Sequence, residues 1–414
     1  MIYYHNNKPF IEGVSIEEIA RSHVTPFYIY SQNKIEDTFK KLKRTLNAEI
    51  FYAVKANSNQ AIIKLMATLG AGADVVSVGE LERAIVAGVN PKKIIFEGIG
   101  KTNKDISFAI SKNIRLINVE SIDELQRINS IAFEQNKIID IGIRLNPNID
   151  GHTIDKISTG KKTDKFGIDT EKLADIFQVL ETTKNINLIG ISCHVGSQLF
   201  NINIFSEIFK KMKKNAQLFI DKGHSIKHVD LGGGLGVTYQ QNEKVLKLEL
   251  VKSEMDKCFK NVAYQLSFEP GRYLVANAGI LVTSIITIKD NGGINFLITD
   301  AGMHSLIRPA LYQAHHDLEA VDKSDSELIA YTVAGPICES SDIFDKDISL
   351  PKQKVGNLLI IKDTGAYGKV MASNYNSRGL PAEILVRNNA FSQIHKPLNS
   401  QEFISQDTIP EWLD

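Results

Sequence analysis

One lysine of this 414-residue chain, Lys55, has the setting that a reactive amine needs. It directly follows residues 50–54, IFYAV, an apolar run that predicts a buried strand. Barrel enzymes place their catalytic groups at the C-terminal ends of such strands. Partial removal from water lowers the pKa of a lysine amine, and the neutral amine attacks carbonyl compounds to form Schiff bases. By position alone, a lysine here is more often one that reaches from the strand end to solvent, and that alternative stays open.

A run of glycines lies in residues 230–236, DLGGGLG, at the end of the seventh predicted strand. Successive glycines let backbone N–H groups approach an anion because no Cβ stands in the way, so the loop around Gly234 could hold a phosphate. The run matches neither the dinucleotide-binding fingerprint nor the P-loop. A plain tight turn is the alternative, although barrel phosphate sites are commonly built by the loops after strands seven and eight.

Two further polar segments follow predicted strands. Glu269, Gly271 and Arg272 belong to the sequence EPGR after the eighth strand, where the carboxylate could pair with a protonated ring nitrogen and the arginine with a phosphate or carboxylate. His194 and Ser197 belong to HVGS after the sixth strand, and the histidine could stack on a planar cofactor. The structural alternative for EPGR is an ion pair between Glu269 and Arg272 at a turn. For His194 it is a core histidine whose hydrogen bonds are satisfied within the protein. No second His or Cys stands at metal-ligand spacing, so no metal site is predicted.

The last third of the chain adds several groups that could bind a small zwitterion. Cys338 and Glu339 lie in GPICESSD, Arg308 and Tyr312 in RPALY, and Tyr367 in GAYG. Arginine suits a carboxylate, and glutamate suits an ammonium group. We expect Cys338, in a turn-like segment, to be more accessible than the other two cysteines. Taken singly, each of these segments is more often surface structure.

Lys55 and the HVGS, DLGGGLG and EPGR segments would have to be positioned by eight strand–helix units. Strand-like runs alternating with segments of helical periodicity occupy residues 50–54, 74–78, 93–96, 116–119, 139–145, 188–193, 228–231 and 265–268. This alternation favours the α/β class and a (β/α)8 barrel, with a doubly wound open sheet as the alternative.

After about residue 279, β-rich runs separated by turn residues replace the helical periodicity. They occupy residues 280–288, 295–299, 328–333, 358–362 and 383–386. Residues 27–30, FYIY, could add a strand to them. We therefore expect a barrel over residues 31–278 and a mostly antiparallel β domain made of residues 1–30 and 279–414.

Composition limits the possible partners. Forty-eight basic residues balance 48 acidic ones, which argues against binding nucleic acid or anionic membranes through bulk charge. Three cysteines are too few for a disulfide framework and favour a reducing compartment. The first residues, MIYYHNNKPF, lack the pattern of a signal peptide, and no apolar run approaches the ~18 residues of a membrane span. We expect a cytoplasmic globular protein that acts on a small molecule.

Taken together, and in this order along the chain, these segments resemble the fold-type III pyridoxal-phosphate decarboxylases. The resemblance extends from TPFYIY, residues 25–30, to the C-terminal turns. It implies an alanine-racemase-like barrel with a C-terminal β domain, in agreement with the periodicity. It also implies pyridoxal 5'-phosphate as the cofactor and an amino acid as the substrate.

The resemblance further implies a role for each matching residue. Lys55 would hold the cofactor as an aldimine and His194 would stack on its ring. Glu269 would keep the ring nitrogen protonated, which makes the ring a stronger electron sink for a carbanion at Cα. Phosphate would be held by Ser197, Gly234, Gly271 and Arg272. Cys338 would protonate the product carbanion. Substrate contacts would come from Arg272, Arg308, Tyr312, Glu339 and Tyr367, the last also near the cofactor. In relatives the Cys-Glu-Ser segment comes from the partner subunit, which implies a homodimer with shared active sites.

The substrate implied is meso-diaminopimelate, which would be decarboxylated to L-lysine. Its far end carries a carboxylate that suits Arg308 with Tyr312, and an ammonium that suits Glu339. Ornithine-type relatives typically carry Asp after the cysteine. The alternatives are decarboxylation of ornithine, arginine or carboxynorspermidine, and a non-catalytic protein that binds pyridoxal phosphate. The presence of Lys55, Glu269 and Cys338 argues against the non-catalytic one.

Overall fold

The structure is a computed structural model that describes residues 1–151, 159–240, 243–323 and 326–413. The chain divides into two compact units. The β unit comprises Met1–Asp37, Tyr239–Glu243 and Leu274–Asp414, and the barrel unit comprises Thr38–Thr238 and Lys244–Tyr273.

The strands of the described residues are given in chain order. They are β1 (Ile2–His5), β2 (Lys8–Ile11), β3 (Val14–Ser15), β4 (Phe27–Ser31), β5 (Glu49–Ala53), β6 (Gly72–Val75), β7 (Ile94–Phe96), β8 (Leu116–Val119), β9 (Ile139–Asn146), β10 (Ile168–Asp169), β11 (Ile186–Ser192), β12 (His228–Asp230), β13 (Gln265–Phe268), β14 (Gly279–Asn291), β15 (Ile294–Thr299), β16 (Leu318–Ala320), β17 (Leu328–Ala334), β18 (Ile343–Pro351), β19 (Leu358–Ile361), β20 (Ala382–Arg387) and β21 (Ala390–His395).

The α-helices of the same residues follow. They are α1 (Ile16–Ser22), α2 (Gln32–Leu46), α3 (Gln60–Thr68), α4 (Val78–Val86), α5 (Asn103–Ser111), α6 (Ile122–Glu134), α7 (Leu173–Thr182), α8 (Ile202–Asp221), α9 (Leu248–Cys258), α10 (Arg272–Val275), α11 (Arg308–Tyr312) and α12 (Ser400–Ile404).

In the barrel unit, eight of the described strands form a closed parallel ring in the order β5, β6, β7, β8, β9, β11, β12 and β13. The ring closes where β13 pairs with β5, with Ser267 opposite Glu49 and Phe268 opposite Ile50. A doubly wound sheet would leave two open edges here, so the closure confirms the predicted (β/α)8 barrel. The strands are short and mostly buried on both faces, which explains why they appear in the sequence as continuous apolar runs.

Helix ends in this unit follow capping chemistry that the apolar periodicity does not reveal. Helix α4 starts at Val78, because the Ser77 side chain accepts a hydrogen bond from the Glu80 N–H. It ends at Val86, and Gly88 follows with φ of +86°. Glycine adopts this left-handed conformation at little cost, so the chain leaves the helix there.

The β unit is built on a sheet in the order β18, β17, β15, β14, β4, β20 and β21, in which most neighbours are antiparallel. Strand β4 is the segment expected at residues 27–30, and it pairs with β14 and β20. A separate meander of β1, β2 and β3 packs Ile11 and Val14 into one core with Ile29, Val282 and Ile384. The expected mostly antiparallel β domain is confirmed.

Strand β18 was not expected from the sequence. Its residues, IFDKDISLP, include three charged side chains, and most of its side chains are exposed or half-buried. An edge strand of this kind carries no apolar run, because little of it packs on a core.

In the described part of the chain, no helix combines the length and apolar character needed to cross a bilayer.

Candidate active site

Lys55 lies at the C-terminal end of β5, in a short 3-10 turn of Val54–Ala56. Its Nζ is 2.9 Å from Oδ2 of Asp74, a fully buried side chain in the neighbouring strand β6. The register of the two strands sets this pair, since Ala53 lies opposite Asp74. The sequence interpretation did not single out Asp74. An acid inside a buried strand is itself a signal, because a carboxylate is seldom buried without a partner.

His194 follows β11 and is held by the glycine loop. Its Nδ1 is 3.0 Å from the backbone N of Gly233, which can only donate, so Nδ1 is the acceptor and the ring proton lies on Nε2. Burial, and secondarily the positive charges of Lys55 and Arg144, hold the pKa of His194 well below its usual value. The imidazole is therefore neutral and fixed in orientation, as a stacking group should be.

The glycine loop is shaped by one buried carboxylate. Asp230 Oδ1 accepts a 2.7 Å hydrogen bond from the Gly232 N–H, and its Oδ2 accepts one from the Ser267 hydroxyl. Burial raises the pKa of Asp230 to about 7, although the hydrogen bonds from Ser267 and Gly232 act in the opposite direction. Gly234 has φ of +84°, and a Cβ at this position would overlap the carbonyl oxygen of Gly196. Only glycine suits this backbone.

Glu269 lies after β13, and its N–H donates a 2.9 Å hydrogen bond to Gly232 O. Its Oε1 is buried and has no hydrogen-bond partner among the described residues. Burial is the largest cause that raises the pKa of Glu269 well above the usual range, followed by the charges of Asp230 and Asp74. A buried acid with an unused oxygen is suited to a cationic N–H group brought in by a ligand.

Gly271 and Arg272 follow directly. A Cβ on Gly271 would lie 2.8 Å from the Cβ of Ala56, so the absence of a side chain lets this turn pack against the segment that carries Lys55. Arg272 Nε donates a 3.1 Å hydrogen bond to Ser197 Oγ. This hydrogen bond brings the HVGS and EPGR segments together.

The barrel interior also holds a charged cluster that the sequence interpretation missed. Arg144 in β9 lies 2.8 Å from Glu120 and 3.6 Å from Glu97, and all three side chains are buried. Burial raises the pKa of Glu97, and the nearby Arg144 lowers it by a smaller amount. Asp74 and Glu269 are further buried carboxyl groups of the same barrel, and both raise the pKa of a neighbouring ionisable group by their charge.

In the β unit, Arg308 begins α11 and Tyr312 ends it. Arg308 is only 6% exposed, and its Nη1 lies 2.9 Å from Nε2 of His316. Its guanidinium carbon stands 4.8 Å from the centroid of the Tyr239 ring. Tyr367 is half-buried in the turn between Gly365 and Gly368, with φ of +56°.

Cys338 and Glu339 are at the surface of the same unit. The Cys338 N–H donates to Asn376 Oδ1 at 3.2 Å, and the Tyr375 hydroxyl donates to Glu339 Oε1. The turn is held by Asp342, whose Oδ2 accepts a 2.8 Å hydrogen bond from the Ile337 N–H. As expected, Cys338 is the most accessible cysteine, since Cys193 is buried and Cys258 half-buried.

Residues 32–276 match the family model described as the pyridoxal-binding domain of pyridoxal-dependent decarboxylases. The match spans more than half of the chain. It includes the barrel residues described above: Lys55, Asp74, His194, Ser197, Gly234, Glu269, Gly271 and Arg272. The chain therefore belongs to the pyridoxal-dependent decarboxylases.

The relatives extend this match over nearly the whole chain. Diaminopimelate decarboxylase of Aquifex aeolicus is 38% identical over 397 residues, 96% of this chain and 94% of the relative. The solved diaminopimelate decarboxylase of M. jannaschii in complex with L-lysine has a TM-score of 0.92 at 36% identity, covering 100% of this chain and 99% of that one. The Helicobacter pylori enzyme complexed with L-lysine has a TM-score of 0.90 at 38% identity, covering 94% and 98%. The chain belongs to the diaminopimelate decarboxylase family.

Proposed function

We propose that the protein decarboxylates meso-diaminopimelate to L-lysine and CO2, using pyridoxal 5'-phosphate attached at Lys55. The observation that carries the proposal is the buried Glu269 carboxyl, whose Oε1 has no hydrogen-bond partner in the described residues, in the same barrel as Lys55. A pyridine nitrogen needs such an acid partner to stay protonated. The family of the chain and the L-lysine complexes of its relatives support the cofactor and the substrate.

The residues of the barrel unit fit this cofactor. Phosphate would be held by the loop around Gly234 together with Ser197 and the backbone of Gly271 and Arg272, because backbone N–H groups and a hydroxyl can donate to a dianion. His194, neutral and fixed by Gly233, would cover one face of the ring. When bound, the cofactor supplies the electron sink that accepts the electron pair left behind by CO2. In the free protein, Asp74 holds the amine of Lys55 in place.

Residues of the β unit would recognise the substrate. Arg308 and Tyr312 would bind the carboxylate of the end that does not react, and Glu339 would bind its ammonium group. Arg272 and Tyr367 would make further substrate contacts. Cys338 would deliver the proton that replaces CO2 at the reacting carbon. The support is chemical matching of each side chain to a group of diaminopimelate, together with the resemblance of these segments to the family.

We further propose a cytoplasmic homodimer in which the Cys338 segment of one subunit serves the site of the other. The exposure of Cys338 and Glu339 supports this, because a group enclosed by its own chain could not reach a neighbour's site. Mixing a Lys55→Ala variant with a Cys338→Ala variant should then restore about a quarter of the parental activity, since half of the dimers are hybrids with one intact site. No restoration after subunit exchange would contradict shared sites.

The substrate assay tests the main proposal. Purified protein with pyridoxal phosphate is supplied separately with meso-diaminopimelate, ornithine, arginine and carboxynorspermidine, and the CO2 and the amine product are measured. We expect L-lysine from diaminopimelate and little turnover of the others. A polyamine precursor formed from another substrate, without L-lysine from diaminopimelate, would overturn it. Cofactor binding without turnover of any substrate would instead favour a non-catalytic protein.

A further inference from the structure

Arg308 is held in the β unit by two aromatic side chains. Its Nη1 lies 2.9 Å from His316 Nε2, and its guanidinium stands over the ring of Tyr239 at 4.8 Å. Tyr239 also meets His316 edge-on, with ring centroids 5.4 Å apart and planes at 85°. The three side chains thus pack on one another, although Tyr239 is 69 residues before Arg308 in the sequence.

The protonation of His316 follows from its two hydrogen bonds. Nδ1 lies 2.8 Å from the backbone oxygen of Lys362, which can only accept, so Nδ1 carries the proton. The guanidinium of Arg308 can only donate, so Nε2 must present its lone pair. The neutral Nδ1–H tautomer is the form that satisfies both contacts.

The backbone holds this histidine firmly. The Lys362 N–H donates a 2.8 Å hydrogen bond to Asp317 O, next to His316 in the chain, while the His316 ring donates to Lys362 O. Immediately beyond, Leu318 of β16 lies opposite Ile361 of β19. His316 is only 3% exposed. A buried ring held to the backbone in this way has one orientation. That orientation fixes the direction in which Nε2 accepts the hydrogen bond from Arg308.

We propose that His316 and Tyr239 are positioning residues that aim Arg308 at the carboxylate on the unreactive end of the substrate. The proposal rests on the function proposed above, in which Arg308 binds that carboxylate. A guanidinium on a free stem must give up rotamer freedom when it binds, whereas one already held by a ring and an acceptor does not. Because the imidazole is neutral, this contact orients the guanidinium without neutralising its charge. The pair therefore selects substrates that carry a carboxylate at that end.

Two amide substitutions separate the two hydrogen bonds of His316. In His316→Gln the side-chain oxygen can take the place of Nε2 and accept from Arg308. In His316→Asn the amide can donate to Lys362 O but is too short to reach the arginine. We expect His316→Asn to raise the KM for diaminopimelate about 10- to 100-fold with kcat changed less than about threefold, as for loss of a hydrogen bond to a charged group. His316→Gln should keep KM within about threefold of the parent.

Two inhibitors test whether the effect passes through the carboxylate. L-Lysine keeps the carboxylate of the unreactive end, whereas pentane-1,5-diamine has none. His316→Asn should weaken inhibition by L-lysine by the same factor as it raises KM, and it should leave inhibition by the diamine unchanged. In an Arg308→Lys background, His316→Asn should change KM less than about twofold, because residues that act through one another are not additive. Equal weakening of both inhibitors, or full additivity with Arg308→Lys, would overturn the proposal.

Tyr239 provides a second route if His316→Asn does not fold. Tyr239→Leu removes the ring face and should raise KM and weaken L-lysine inhibition in parallel. Tyr239→Phe keeps the ring and should change both quantities less than Tyr239→Leu does. Unchanged kinetics of Tyr239→Leu would count against the positioning role. Failure of the proposed function is distinguishable, because the parent itself would then form no L-lysine. If the parent forms L-lysine but His316→Asn leaves KM and L-lysine inhibition unchanged, this inference is wrong and the proposed function is unaffected.

Discussion

Lys55 and Asp74 form a 2.9 Å ion pair at the C-terminal ends of two adjacent barrel strands. The carboxylate is fully buried, whereas 39% of the lysine side chain remains exposed. The amine is therefore held at a fixed point by an anchored group and is still accessible to a ligand. This combination distinguishes it from a lysine that simply reaches into solvent.

The reactivity of Lys55 can be tested by reducing the loaded protein with borohydride and mapping the labelled peptide. In the parent we expect the label on Lys55. The Lys55→Ala variant should carry no label and should lose at least about 10³-fold in activity, because a covalent catalyst has been removed. Lys101 is an internal control. Its Nζ is fully buried and bonded to Glu124, Gly98 O and Asn118 O, so it should stay unlabelled. Label at another lysine in the parent would contradict the assignment.

The glycine loop allows a matched pair of substitutions. Gly234 and Gly223 both have positive φ, +84° and +90°, but a Cβ would collide with Gly196 O at the first and meet nothing within 4 Å at the second. Gly234→Ala should lower the affinity for pyridoxal phosphate at least about tenfold, since the loop must shift. Gly223→Ala should cost only about 1 kcal/mol of stability, from backbone strain, with parental affinity. Cofactor titration and urea unfolding measure the two effects. Equal affinity losses would mean that the loop does not hold phosphate.

The proton donor is tested by Cys338→Ala with Cys258→Ala as control. General acids typically contribute 10²- to 10⁴-fold to rate, so we expect the first variant to lose about that factor in kcat while binding the cofactor normally. Cys258 ends α9 and is half-buried on the barrel unit, and its substitution should leave turnover unchanged. Steady-state L-lysine formation and cofactor absorbance provide the measurements. Parental turnover by Cys338→Ala would show that another group is the acid.

His228 should destabilise the barrel in mild acid, in opposition to the buried carboxyls Asp230, Glu97 and Glu269, whose raised pKa values favour the native state as the pH falls. Burial, with a smaller effect from the neighbouring Arg115, lowers the pKa of His228 to about 3. The unfolded chain binds a proton near pH 6.5, but the native imidazole does not, so stability is complete above that pH and falls as the pH drops from about 6.5 toward 3. The slope from this one residue approaches about 1.4 kcal/mol per pH unit. Urea unfolding at pH 7, 6 and 5 should be compared between the parent and His228→Asn, in which the rise of stability with pH should be smaller by about one proton. An unchanged slope in that variant would contradict the assignment.

Much of the barrel could be predicted because its strands are buried on both faces. Residues 116–119 and 265–268 are strands with the predicted bounds, and the other six differ by only a few residues. The residues that would hold the cofactor directly follow these strands, so their places along the chain already indicated one end of a barrel. Strand β18, by contrast, has few buried side chains, and no local pattern marks it.

Residue types and their order determined the class of fold and singled out Lys55, the glycine loop and Glu269, the acid that follows the eighth strand. Only the tertiary structure decided which groups support them. Asp74 is paired with Lys55 because β5 and β6 are in register, and His316 meets the backbone of Lys362 because β16 pairs with β19. Such contacts depend on strand pairing and on the burial of both partners. Neither is a property of a chain segment by itself, so the hydrogen bond that fixes a histidine tautomer cannot be inferred from spacing alone.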